Sequence, residues 1–122
     1  MIRAKLCREG RAFSLEMEGH AGYAELGHDL ICAAVSTLVA ALKSYLDRLD
    51  GEGMLIQREE SVLESGRAKM GALPEAQSAD RLQGALELAE CFLSLLEKNY
   101  PENIKFTDNF GRKRRNDHDK QA

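Results

Sequence analysis

The segment from Ile31 to Leu49 most constrains the fold of this chain. Its apolar side chains recur at alternating steps of four and three residues, while Lys43, Asp47 and Asp50 take the opposite face. This period predicts a long amphipathic α-helix with one face on a core. Glycines at positions 51 and 53 predict its end. The apolar stripe consists of Ile31, Val35, Leu38, Leu42, Tyr45 and Leu49.

Two short segments before this helix alternate apolar and polar residues. The alternation covers residues 2–7 and residues 13–18, and it is typical of strands that are buried on one face. The residues between the two segments include Gly10. We therefore expect an antiparallel hairpin.

A second helix is predicted from about Ser78 to Asn99, where apolar residues again follow a helical period. Pro101 ends it, because proline cannot continue a helix. Since the apolar residues cover a broad arc, we expect this helix to be well buried. The main stripe is Leu82, Leu86, Ala89, Leu93, Leu96 and Tyr100, and it is widened by Leu88, Phe92 and Leu95.

The order of elements predicts an α+β fold. Weaker alternation over residues 54–70 predicts two strands, and Ile104 with Phe106 predicts a last short one. The result is an α/β sandwich, a mixed sheet of about five short strands with two long helices packed on one side. We expect residues 1–110 to form one domain. Residues 111–122 are basic and nearly free of apolar side chains, so we expect a flexible tail.

Charge and composition exclude several function classes. Residues 1–110 hold 12 Lys/Arg and 18 Asp/Glu, and aromatic residues make up 6% of the chain. An acidic body with few stacking side chains is poorly suited to nucleic acid, so we expect no direct nucleic-acid partner and favour a basic protein. The longest apolar run, residues 30–42, is too short to span a bilayer. We expect a soluble cytoplasmic protein without a secretory leader or a membrane partner.

A candidate nucleophile, Cys32, follows a glycine-rich segment. Residues 19–28 contain three glycines and no regular period, which predicts a loop. Asp29 is a favourable helix N-cap, and this would put Cys32 in the first turn. Unpaired N–H groups and the helix dipole favour a thiolate there, although an ionised Asp29 would oppose it. Ser36 would lie one turn below the sulfur on the same face.

A candidate base, His20, lies 12 residues before Cys32. If the loop folds back, the imidazole can activate the sulfur and later protonate a leaving amine. N–H groups at the helix start would then receive the oxyanion. His28 is nearer in sequence, but its place just before the cap favours a surface position. Spacing alone leaves an ordinary alternative open, namely a packed cysteine and a surface histidine.

Other chemistries are less well supported by the pattern. The irregular spacing of the possible metal ligands fits no closed site, and only one of them is a thiolate. The chain's three cysteines are an odd number without a Cys-x-x-Cys pair, which argues against a disulfide framework or a redox pair. We expect no cofactor and no metal. The possible ligands are His20, His28, Asp29 and Cys32.

Residues 19–24 read G-H-A-G-Y-A, and residues 27–36 read G-x-D-x-x-C-A-A-V-S. This pattern, with many positions at fixed spacing, resembles the signature of Prp, the ribosomal-processing cysteine proteases of bacteria. The resemblance implies that His20 and Cys32 form the catalytic pair. It implies that Asp29 and Ser36 support the site. It also implies a segment that orders over the substrate peptide, with Gly19, Gly22, Tyr23 and Gly27.

The resemblance also implies a function. Family members remove a short N-terminal extension from bacterial ribosomal protein twenty-seven, a large-subunit protein, during ribosome assembly, and they form homodimers. We therefore predict a cysteine endopeptidase that takes this ribosomal protein precursor as its substrate. The motif does not explain His28 or the basic run Arg112–Arg115. The alternative is a non-catalytic, ribosome-associated module that holds a peptide in the same groove.

Overall fold

The computed structural model describes residues 1–19, 26–64 and 66–109, and the side chains of residues 1–19, 30–60 and 66–109. The elements follow the predicted order, and the α+β fold is confirmed. They are β1 (Ile2–Glu9), β2 (Ala12–Glu18), α1 (Leu26–Gly51), β3 (Leu55–Glu64), β4 (Arg67–Pro74), α2 (Ala79–Asn99) and β5 (Ile104–Asp108), with a 3-10 turn at Ala76–Ser78 before α2.

Within the described residues, the strands form one mixed sheet in the order β3-β4-β2-β1-β5. β1 pairs antiparallel with β2, β2 with β4 and β4 with β3, whereas β5 lies parallel to β1. The structure contains the predicted hairpin between β1 and β2, in which Glu9 pairs with Ala12. Gly10 has a φ of 59° in this turn, a left-handed conformation that glycine adopts without strain.

One face of the sheet is apolar, and both helices pack on it. Alternate side chains of a strand point to the same face, so the predicted alternation produces one continuous apolar layer. Leu46 and Leu49 of α1 and Leu93 of α2 are fully buried in the same cluster as this layer. Burial of these side chains is the main stabilising contribution to the fold. The sheet contributes Ile2, Ala4, Leu6, Phe13, Leu15, Met17, Met70, Ala72, Ile104 and Phe106.

The buried stripe of α1 is slightly rotated from the predicted one. Val39 and Leu46 are buried, whereas Leu38 and Tyr45 are only partly buried against the core. Both sets continue a helical period from Ile31, so the sequence pattern is compatible with either. Contact with the sheet selects the stripe that contains Val39 and Leu46.

The prediction that α2 is well buried is wrong for part of its surface. Leu82, Leu86 and Leu93 are buried, but Leu88 and Leu95 are 72% and 60% exposed. A helix on a sheet buries only the side that faces the sheet. In the part of the chain that the structure describes, the opposite side of α2 is open to solvent.

The apolar part of α1 is longer than the run seen in the sequence. Leu30–Gly51 is long and apolar enough to cross a membrane by length and composition alone, with a mean hydropathy of 1.5 over a window of 18 residues. The expectation that no segment is long enough therefore relied on too short a run. In the structure this helix packs on the sheet, where Ile31, Val35 and Leu42 are buried.

Candidate active site

A cleft of about 600 Å³ lies between α1 and the end of the sheet where β1 begins and β2 ends. One wall is a side of α1. The other wall is made by the ends of β1, β2 and β4 and by the turn before β4. The lining includes Cys32, Ser36 and Asp47 from α1 and Ile2, Gly19 and Gly66 from the sheet side.

Cys32 is half-buried and lines this cleft. Its side chain packs partly against the core cluster, so its position on α1 is fixed by apolar contacts. Ser36 follows four residues later, one helical turn away, and lines the same cleft. Cys32 and Ser36 therefore share one face of α1 and open on a space that can hold a ligand.

The position of Cys32 within α1 differs from the predicted one. α1 begins at Leu26, so Asp29 lies in the first turn rather than at the cap, and Cys32 is the seventh helical residue. The first turn also favours a carboxylate, because the unpaired N–H groups and the positive dipole end are there, so the sequence signal fits both positions. The prediction that Cys32 lies in the first turn is wrong. The unpaired N–H groups at the helix start lie at least about 4.5 Å before Cys32 along the helix axis, and their role as receivers of the oxyanion stays a prediction.

The loop that was predicted over residues 19–28 does not extend to its predicted end, because α1 begins at Leu26. Gly27 and His28 belong to α1, so Gly27 is not a loop residue and His28 does not stand before the helix. A single helical glycine costs only about 1 kcal/mol relative to alanine, and the packing of a long helix offsets this. His20, Gly22 and Tyr23 lie outside the described residues, as do the side chains of residues 28 and 29.

Gly19, a predicted site residue, has a constrained backbone. Its N–H donates to the carbonyl oxygen of Gly66 at 2.8 Å, and its φ is 96°. A Cβ at this position would lie 2.3 Å from the carbonyl oxygen of Met1. Since L-residues rarely adopt this φ and no Cβ approaches a carbonyl so closely, only glycine fits.

The far end of the cleft is held by charged side chains. Asp47 accepts from Arg58 of β3, with 2.7 Å between Nη2 and Oδ1, and Lys43 lies 3.5 Å from its Oδ2. Arg58 also pairs with Asp50 and Glu60. The hydrogen bond from Arg58 lowers the pKa of Asp47, although burial opposes the shift. Burial lowers the pKa of Arg58, but its hydrogen bonds to Asp47 and Glu60 raise that pKa overall.

Sequence reasoning missed this charged cluster. A signal was present in β3. Alternate side chains of this strand face the helices, and position 58, which pairs with buried Ala72, carries an arginine on that face. Asp47 and Asp50, three residues apart, lie on one side of a predicted helix. The pairing of β3 with α1 could not be read from these spacings, because it depends on the tertiary arrangement.

The other two cysteines lie away from the cleft. Cys7 of β1 is half-buried and lines a second cavity of about 500 Å³, whereas Cys91 of α2 is exposed. All three cysteines are described, and none forms a disulfide. Among the described side chains, no group of three or more His, Cys, Asp and Glu is placed to hold a metal ion. Three of the four possible ligands named from the sequence lie outside that set.

Comparisons with known proteins place the chain in a family. The model of the family described as Cysteine protease Prp matches residues 1–105. The chain belongs to the Prp family. A curated relative, the Ribosomal processing cysteine protease Prp of Bacillus subtilis (strain 168), is 32% identical over 114 residues, which cover 89% of this chain and 98% of the relative. The present chain is thus a cysteine protease, which disfavours the alternative of a non-catalytic module.

Solved structures share the fold. SMU.848 from Streptococcus mutans superposes on this Prp protein with a TM-score of 0.67 and 29% identity, covering 88% of this chain and 93% of SMU.848. The Prp protease from S. aureus in complex with a substrate peptide has a TM-score of 0.65 and 21% identity, covering 89% of this chain and 100% of that one. At that identity, the second likeness shows the fold alone.

Proposed function

We propose that this cysteine protease removes the N-terminal extension of bacterial ribosomal protein twenty-seven of the large subunit during ribosome assembly. The proposal is supported by the motif at residues 19–36 and by the B. subtilis relative, which is named for ribosomal processing. The observation that carries it is that Cys32, Ser36 and Gly19 open on one cleft of about 600 Å³. This volume lies within the range of ligand-binding pockets.

The proposed chemistry is acyl transfer through Cys32. After His20 takes the thiol proton, the sulfur attacks the scissile carbonyl carbon and a C–S bond forms. His20 returns the proton to the leaving amine as the C–N bond breaks, which leaves a thioester. His20 then takes a proton from water, the water oxygen attacks the thioester, and the C–S bond breaks to release the N-terminal extension with its new carboxyl end. The shortened ribosomal protein has already left as the amine, and the proton on His20 returns to the Cys32 thiolate.

The remaining residues of the motif have supporting roles in this proposal. Ser36, one turn from Cys32 in the same cleft, holds the sulfur from below. Asp29 supports the site from the first turn of α1. Gly22 and Tyr23 contact the substrate peptide. The role of His20 as the base is supported by its position in the sequence, directly after Gly19, which lines the cleft.

Charge supports a basic substrate. Residues 1–110 carry a net charge of −6, so the body of the protein attracts a basic ribosomal protein and speeds encounter. The same charge repels phosphate backbones, so no direct nucleic-acid contact is proposed.

The test mixes the purified protein with the unprocessed ribosomal protein of the same organism and measures N-terminal shortening by mass spectrometry. The parent should produce the shortened protein, and Cys32→Ala should not, because the nucleophile is lost. Cys91→Ala is the matched control and should cut like the parent, since Cys91 is exposed on α2 away from the cleft. Equal cleavage by Cys32→Ala and the parent would refute the assignment.

Two further properties belong to the same proposal. The family resemblance supports a homodimer, for which sedimentation equilibrium should give about twice the mass of one chain. Cleavage during ribosome assembly requires a cytoplasmic enzyme, which cell fractionation should find in the soluble fraction. A monomer at all concentrations, or recovery with membranes, would contradict these points.

A further inference from the structure

We propose that Gly19 is a positioning residue of this protease, whose fixed backbone sets the point at which His20 is joined to the described part of the chain. The inference rests on the proposed role of His20 as the base. It assigns Gly19 a rigid role, in contrast to the substrate-contacting segment that the sequence motif implies. The reason is the steric contact of Gly19 with Met1 together with its hydrogen bond to Gly66.

Both partners of Gly19 are themselves fixed. Ile2 is buried, its N–H donates to the carbonyl of Asn103 at 2.9 Å, and it pairs with Ile104 of β5. The Met1 carbonyl that faces Gly19 is therefore tied, through Ile2, to the paired strands β1 and β5 and cannot move aside cheaply. On the other side, the turn that contains Gly66 leads directly into β4, which pairs with β2 next to Gly19.

The consequence for catalysis follows from covalent geometry. Consecutive Cα atoms lie about 3.8 Å apart, so the chain can carry His20 only a short way from a fixed point on the cleft wall. Cys32 is fixed on the facing wall by its contacts with the core. A shift of about 1 Å in such a pair can cost roughly 100-fold in rate. A side chain at position 19 would force such a shift, because the atoms it meets belong to the backbone.

The first experiment compares two glycines that both have positive φ. Gly10 has a φ of 59° but nothing within 4 Å of an added Cβ, so Gly10→Ala carries the conformational strain without the clash. We expect Gly19→Ala to lower kcat about 100-fold with KM changed less than about threefold. Gly10→Ala should change neither by more than about threefold. Equal kcat values for the two variants would overturn the proposal.

The second experiment tests whether Gly19 acts through His20, and it needs no substrate. The rate at which iodoacetamide alkylates Cys32 is measured in the parent, Gly19→Ala, His20→Ala and the double variant. We expect each single variant to slow alkylation to a similar degree and the double variant to be no slower than His20→Ala. Additive effects would show that Gly19 acts on the cleft itself, which contradicts a positioning role.

A third variant covers the case in which Gly19→Ala does not fold. One glycine inserted between residues 19 and 20 keeps every contact of Gly19 but moves His20 by one residue. This variant should melt like the parent and lose kcat to a similar extent as expected for Gly19→Ala. A kcat within about threefold of the parent would refute the proposal.

The outcomes separate the positioning role from the proposed function. If the parent does not shorten the ribosomal protein but the alkylation pattern holds, the proposed substrate is wrong and the role of Gly19 stands. If the parent cleaves and neither Gly19→Ala nor the insertion lowers kcat, the proposed function stands and the role of Gly19 is wrong.

Discussion

The two ends of the cleft are held in different ways. At the end with Cys32, the wall is fixed by the main chain, through the contacts of Gly19 with Met1 and Gly66. At the far end, α1 is fixed by the ion pair between Asp47 and Arg58. Main-chain contacts between paired strands change little with salt or pH. Ion pairs of partly exposed side chains are screened by salt and depend on ionisation.

This difference matches what each end has to do. Proton transfer between a base and a thiol needs heavy atoms within hydrogen-bonding distance, so small displacements are costly. The far end only has to keep α1 on β3, for which a flexible charged pair is enough. Substitutions at the Cys32 end should therefore change reactivity more than stability, and substitutions at the Arg58 end should do the reverse.

The largest expected effect concerns thiol reactivity. If only solvent exposure of the sulfur mattered, exposed Cys91 would react with iodoacetamide faster than half-buried Cys32. If the Cys32 end holds an activated nucleophile, the order is reversed, and Cys32 should be alkylated at least about tenfold faster than Cys91 near neutral pH. Peptide mass spectrometry after short labelling times measures all three sites at once. Cys7, half-buried like Cys32, is the matched control, and equal rates at Cys7 and Cys32 would contradict activation.

A smaller effect is expected at the far end. Arg58→Ala removes the ion pairs between β3 and α1 and should lower the free energy of unfolding by about 1 kcal/mol, measured by urea denaturation. Its kcat should stay within about threefold of the parent, because Gly19 and Cys32 keep their contacts.

The control for Arg58→Ala is another arginine that pairs across elements. Arg81 of α2 lies 3.0 Å from Glu52, but its side chain is 45% exposed, against 18% for Arg58. Arg81→Ala should therefore change stability less than Arg58→Ala. A larger loss for Arg81→Ala, or a kcat loss for Arg58→Ala as great as that for Gly19→Ala, would contradict the division between the two ends.

The strands and helices were predictable because their signals are local. The period of two in β1 and β2 and the helical period in α1 and α2 follow from backbone geometry alone. The exposure of Leu88 was not predictable. An apolar stripe on a helix shows which residues are suited to burial, but it does not show whether another element covers them. The start of α1 was misplaced at Asp29, since the same carboxylate suits a cap and a first turn.

The candidate site divides in the same way. The shared cleft of Cys32 and Ser36 follows from a spacing of four residues on one helix. The steric role of Gly19 depends on Met1, which lies 18 residues earlier in sequence, and no local pattern reports that contact. The same holds for the ion pair between Arg58 and Asp47. These residues lie on different elements, and they meet only when β3 and α1 pack together. Local chemistry was therefore visible in the sequence, and long-range positioning was not.

The smallest expected effect is the pH dependence of the ion pair at the far end. Arg58 lowers the pKa of Asp47 below its usual value of 3.8, so their interaction stabilises the folded chain above the unfolded pKa and is lost as the pH falls through the folded value. A double-mutant cycle with Asp47→Asn and Arg58→Ala isolates this term from other carboxylates that titrate in acid. The coupling energy should be constant from neutral pH down to about pH 5 and should decline below about pH 4. A coupling that is unchanged in acid would mean that the two side chains interact through packing rather than charge, and the contrast between the two ends of the cleft would then be lost.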